Sequence, residues 1–127
     1  MEQNDKFPDV LCLENAGVVH GSRLFKLEKP YRFFSSKGLI TIPAGFISDG
    51  YSIPSALWSW CNPFAKGMES SLFHDYFYKK DCPYNFTRAE ADDLLLEGMV
   101  ICGVSFLKRR AIYRAVRMFG GMSWKKR

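Results

Sequence analysis

Residues 68–102, MESSLFHDYFYKKDCPYNFTRAEADDLLLEGMVIC, carry the two signals that decide the fold. Between Met68 and Lys79 the apolar side chains Leu72, Phe73, Tyr76 and Phe77 recur at three- and four-residue spacings, the period of one helix face. His74 and Tyr78 lie four apart on a neighbouring face, which places His74 at the edge of a core. Asp81 to Phe86, with Pro83 and Asn85, reads as a connection. Thr87-Arg88-Ala89-Glu90 then matches a capping box: the threonine oxygen accepts from the third helical N–H and the glutamate reaches back, so a helix starts at Arg88. Ala91, Leu94, Leu95, Gly98, Met99 and Cys102 form its apolar face. Asp92 lies beside that face in the second turn, while Asp93 and Glu97 turn toward solvent, and Gly103 closes the helix.

Downstream, Phe106 to Phe119 has helical period again, with Ile112, Ala115, Val116 and Phe119 inward, basic residues outward and Gly120-Gly121 as a stop. Upstream the period changes. Leu24 to Glu28 alternates as a half-exposed strand, Tyr31 to Phe34 and Leu39 to Ile42 follow as short strands, and Ser35-Ser36-Lys37-Gly38 between them is turn chemistry. The expected fold class is therefore α+β: an N-terminal antiparallel β meander followed by a three-helix C-terminal part. The expected organisation is a single domain over 1–127: an N-terminal arm at 1–8, strands over 24–48, a loop at 49–66, helices over 68–119 and a basic tail at 120–127.

Composition supports a folded domain, since 47% of the 127 residues are hydrophobic and 16% aromatic. The longest uncharged stretch runs only from Gly50 to Ala65 and is broken by two prolines, too short for a membrane helix. The polar, partly acidic start is unlike a secretory signal, so synthesis in the cytoplasm is expected. Cysteines 12, 61, 82 and 102 have no zinc or redox spacing and are expected as thiols; Cys61 and Cys82 flank the histidine segment and could pair only in an oxidising compartment.

The net charge of +5 is unevenly placed. Lys108, Arg109, Arg110, Arg114, Arg117, Lys125, Lys126 and Arg127 follow Leu107 with no acid among them, and the chain before them holds ten basic against thirteen acidic residues. Such an end suits phosphates of lipid or nucleic acid or an acidic protein surface, and equally a solvated helix face. Nucleic acid is the less favoured partner, because no aromatics interleave with the charges on a sheet.

His74 is the histidine best placed for chemistry. A carboxylate holding one ring nitrogen fixes the tautomer and stabilises the imidazolium, and Asp92 is the candidate orienter. Asp75 points about 100° away from His74 on a helix, which leaves it free to ligate a cation. Asp49, in the Gly-, Pro- and Ser-rich segment 43–54, could supply hard oxygen to the same ion, or simply form a tight Asp-Gly turn. The structural alternative pairs Asp75 with Lys79 and Asp92 with Arg88 one turn away. There is no nucleophile elbow and no Gly-rich phosphate loop.

Four segments in order, IPAGFISDGYSIP (42–54), HDYFY (74–78), RAEAD (88–92) and AVRMFGGMSW (115–124), resemble the phage and bacterial domain-of-unknown-function family 1353 over about residues 24–124. Ser48 and Tyr51 depart from its usual pattern. The resemblance implies a bacteriophage or prophage origin. SDGYS (48–52), HDYFY and RAEAD are also similar, more loosely, to the calcium loop, HD-x-x-Y helix and aspartate-bearing helix of phospholipase A2 enzymes. That similarity implies calcium held by Asp49 and Asp75, His74 as base and Asp92 as its partner, although the paired cysteines around the histidine are missing. The expected function is a calcium-dependent ester hydrolase acting on lipid. The alternative is a non-catalytic neck, tail or baseplate subunit, made in the host cytoplasm and carried in the virion, whose basic C-terminal helix contacts other phage structural proteins.

Overall fold

The computed structural model describes residues 5–19, 22–48, 68–122 and 124–125. Asp49 and Cys61 lie outside them. The chain forms two compact units, Met1–Gly50 and Tyr51–Arg127.

The first unit holds five antiparallel strands in two small sheets. β1 (Leu13–Val19), β2 (Ser22–Leu27) and β5 (Ile47–Ser48) pair in the order β1-β2-β5, and β3 (Tyr31–Ser35) pairs with β4 (Gly38–Ile42). The β3–β4 hairpin follows its alternation: Tyr31 and Phe33 are buried opposite Ile42 and Ile40, while Arg32 and Phe34 face out. Gly38 closes the turn at φ 104°, a conformation that disfavours any side chain. The expected N-terminal antiparallel strands are thus present, divided between two small sheets.

Two features here differ from the sequence expectation. β1 carries no alternation because its register slips against β2 between Asn15 and Gly17, a bulge in which Gly17 takes φ 107° and donates its N–H to Asn15 Oδ1. The expected arm is tied down from Lys6 onward. Phe7 stacks on Phe33 at 4.5 Å, Phe34 N–H donates to the Lys6 carbonyl, and Asp9 takes the Arg32 guanidinium.

The second unit contains α1 (Met68–Tyr78), α2 (Arg88–Ile101) and α3 (Phe106–Phe119), with α2 packed against both of the others. The Thr87 capping box is complete, with Glu90 N–H donating to Thr87 Oγ1 and Thr87 N–H to Glu90 Oε1; such a cap stabilises by about 1 kcal/mol. At the other end of α2, Gly103 at φ 79° donates to the Val100 carbonyl and Val104 to that of Met99. This pair of bonds lets the chain reverse and seats Val104 with Leu95, Met99, Ile112 and Val116 in one apolar cluster. Phe119, expected inward, is 52% exposed. The α-helix ends at Phe119, where the glycine pair was expected to stop it, and Gly120–Met122 follows as a 3-10 turn.

α1 differs most from its reading as a half-buried stripe. Every residue from Leu72 to Tyr78 is buried, so this stretch has no solvent face. The sequence cause is the placing of aromatics around the whole circumference, with Phe73, Tyr76, Phe77 and Tyr78 leaving only His74 and Asp75 as polar members. Burial pushes the Tyr76 phenol up to about 12.

Candidate functional site

α1 contributes His74 and Tyr78, four residues apart, and their rings lie 4.3 Å apart between centroids. The capping box fixes where α2 begins, and hence sends Asp92, in the second turn, toward α1. His74 Nε2 meets Asp92 Oδ1 at 2.6 Å, and the Tyr78 hydroxyl donates to the same oxygen, also at 2.6 Å. Asp92 Oδ2 accepts from Arg117 Nη1 of α3 at 2.8 Å. One carboxylate therefore ties all three helices together, and both of its oxygens are engaged.

His74 and Asp92 are 0% exposed, so the dyad is wholly interior rather than at the core's edge. Burial opposes the charge on Asp92, but hydrogen bonds from His74, Tyr78 and Arg117 outweigh it and hold the carboxyl below its ordinary range. The ionised carboxylate accepts at this contact, so His74 Nε2 is the donor of the pair. Tyr78 is pushed well above an ordinary phenol, by burial first and by the Asp92 carboxylate second, so it remains a neutral donor.

The sign of the pH dependence follows from Asp92. Its folded pKa lies below the ordinary 3.8, so its contribution is complete above that value and is lost as pH falls through the lower folded one. The denaturant midpoint should therefore begin to drop below about pH 4 in wild type, and Asp92→Asn should lose that component when midpoints are compared by circular dichroism.

A further shell supports this network. Arg88 does not supply the charge opposite Asp92; it donates to the Val116 and Arg117 carbonyls at 3.1 and 3.2 Å, fixing the end of α3 that bears Arg117. A Cβ on Gly120 would stand 2.6 Å from the Tyr78 hydroxyl, so only glycine lets the 3-10 turn approach that closely. Trp124 packs edge-on against Tyr78 at 4.9 Å, while Lys125 donates its N–H to the Tyr78 carbonyl and its Nζ to that of Lys79. The tail is thus docked on the C-terminal end of α1, where a cation also suits the helix dipole.

Asp75 is 1% exposed, and no described residue donates a hydrogen bond to its Oδ1. A buried carboxylate oxygen is a chemically suitable donor for a hard cation. Among the described residues, no group of three or more His, Cys, Asp or Glu could hold a metal ion, and Asp49 lies outside them. Cys12, Cys82 and Cys102 form no disulfide among the described residues, and burial raises the pKa of the Cys82 thiol. No described helix is long and apolar enough to cross a membrane.

The site residues expected from sequence and described here, His74, Asp92 and Asp75, lie on the facing helices α1 and α2. Those missed are Tyr78, Arg117 and Gly120, and the signal for them was the motifs themselves: HDYFY ends in Tyr78, and AVRMFGGMSW contains Arg117, Gly120 and Trp124. No curated protein and no solved structure matches the chain. A family model described as "Protein of unknown function (DUF1353)" matches residues 25–116. Its span runs from within β2 through β5, the His74–Asp92 dyad and most of α3, and on that match the chain belongs to the DUF1353 family.

Proposed function

We propose that the helical unit carries a calcium-dependent ester hydrolase site of the phospholipase A2 kind, with His74 as general base and Asp92 as its positioning partner, in a phage or prophage protein. The observation that supports this most is the 2.6 Å contact between His74 Nε2 and an ionised Asp92. With Nε2 protonated toward Asp92, Nδ1 is the nitrogen that takes a proton from water as the water oxygen bonds to the ester carbonyl carbon. Asp92 stabilises the resulting imidazolium, and Tyr78 and Arg117 keep the carboxylate ionised and oriented. When the tetrahedral species collapses, the ester C–O bond breaks and the proton passes from Nδ1 to the departing alkoxide. Asp49 and Asp75 would hold calcium, which supplies positive charge for the oxyanion. For this chemistry the side chains over His74 must open to admit water and ester.

The complete burial of His74 favours a second reading, a non-catalytic virion subunit in which the network only pins three helices. Turnover of a short-chain phospholipid, with calcium and with chelator, separates the two. Under the hydrolase reading, His74→Asn, which keeps a side-chain amide donor, loses roughly 100- to 10,000-fold in turnover while retaining the wild-type circular dichroism spectrum. Equal turnover in both proteins, or none in wild type with calcium, leaves the structural reading.

A further inference from the structure

We propose that the solvent side of α3 is a docking surface for an anionic lipid bilayer. Ile112 and Val116 point into the core, and the opposite side carries Leu107, Arg110, Arg114 and Met118 at three- and four-residue spacings. Leu107 is 75% exposed and Met118 73%, larger than an ordinary surface helix needs to leave in water, and Met122 in the following 3-10 turn is 77% exposed. Phe106 begins the strip with the guanidiniums of Arg109 and Arg110 over its ring at 5.3 and 5.8 Å. Apolar side chains therefore flank the cations along one line, instead of segregating to the opposite face.

The composition of that strip selects its occupant. Eight positive charges and no acid follow Leu107, so the same face of a second copy would bring like charge to like. A nucleic acid would satisfy the arginines through its phosphates but offer no apolar phase to Leu107, Met118 and Met122. A bilayer with anionic headgroups satisfies both: the apolar tips enter the boundary between headgroups and acyl chains, while the arginines keep their charged ends among lipid phosphates. The helix packs against α2 in the unit, so it meets the membrane already folded and loses no helix-forming entropy on binding.

This inference does not rest on the hydrolase reading, and its test is separate. The full chain is co-sedimented with vesicles of phosphatidylcholine, with and without phosphatidylglycerol, at low and high salt. Binding should require phosphatidylglycerol and weaken with salt. Arg110→Glu with Arg114→Glu should lower the partition coefficient about 30-fold or more, given the usual attraction of each basic residue near an anionic surface. Leu107→Ser with Met118→Ser should lower it about tenfold or more, including at high salt, through lost apolar burial. All four positions are exposed or face solvent, so neither variant disturbs the core. No binding to anionic vesicles, binding indifferent to both variants, or charge-dependent binding only to a DNA duplex would each overturn the proposal. A protein with no esterase activity that still sediments with anionic vesicles supports it.

Discussion

Asp92→Ala lowers the unfolding free energy of the helical unit by about 3–5 kcal/mol, the range for removing one partner from a buried charged network. The reason lies with the donors left behind. His74 Nε2 and the Tyr78 hydroxyl both lose their shared acceptor in a region closed to water, and each such loss costs on the order of 1–3 kcal/mol. Arg117 contributes less to the deficit because its side chain is 35% exposed and can recover hydration. Asp92→Asn should cost roughly half as much, since an amide oxygen can still accept from Tyr78. Urea denaturation of the three proteins at neutral pH measures both differences. A cost below about 1 kcal/mol for the alanine variant would mean that the carboxylate is not what holds the three helices together.

Gly120→Ala is the second large effect, and it comes from space and not from backbone freedom. Gly120 lies at φ −63°, where any residue fits, yet its added Cβ would stand 2.6 Å from the Tyr78 hydroxyl and 3.2 Å from the ring. The ring is 1% exposed and held by Asp92 and Trp124, so it cannot swing aside without breaking the hydrogen bond to Oδ1. Overpacking of this kind costs about 1–3 kcal/mol. Gly121→Ala is the matched control: its Cβ would meet only Arg88, at 3.7 Å, and should change stability by less than about 0.5 kcal/mol. Combining Gly120→Ala with Tyr78→Phe removes the clashing oxygen, so the double variant should be more stable than the sum of the two single costs. Strict additivity in that cycle would place the glycine's effect elsewhere.

What could be read from the sequence was whatever depends on neighbours along the chain. The capping box at Thr87, the reversal at Gly103, the alternation of β3 and the bounds of α3 are local devices, and the structure has them where the residues placed them. β1 escaped because a bulge interrupts its period, so no alternation existed to find. The burial of α1 was only half visible: spacing showed one apolar face, but whether the other faces are covered depends on what packs there. The pairing of His74 with Asp92 was legible as a histidine and a carboxylate on consecutive helices. The identity of the opposing cation was not, because Arg88 lies one turn from Asp92 and looks the natural partner, whereas Arg117 comes from another helix 25 residues on. Nothing in local spacing distinguishes the two arginines; the geometry of helix packing does.

The docking of Lys125 on α1 bears on the order in which the unit can form. The Tyr78 carbonyl accepts from the Lys125 N–H, and the Lys79 carbonyl, which also accepts from Cys82 nearby, takes the Lys125 Nζ 46 residues further along the chain. Closing a loop of that size carries an entropic cost that local turns avoid, and contacts of long sequence separation slow folding. From Leu72 to Tyr78 α1 is also buried on every side, so in isolation it would expose aromatic surface all round. On a ribosome, α1 leaves the exit tunnel first of the three helices, yet its last turn stays unfinished until residue 125 has followed. The helical unit is thus completed only after residue 125 has been made, and its aromatic helix needs protection from aggregation until then.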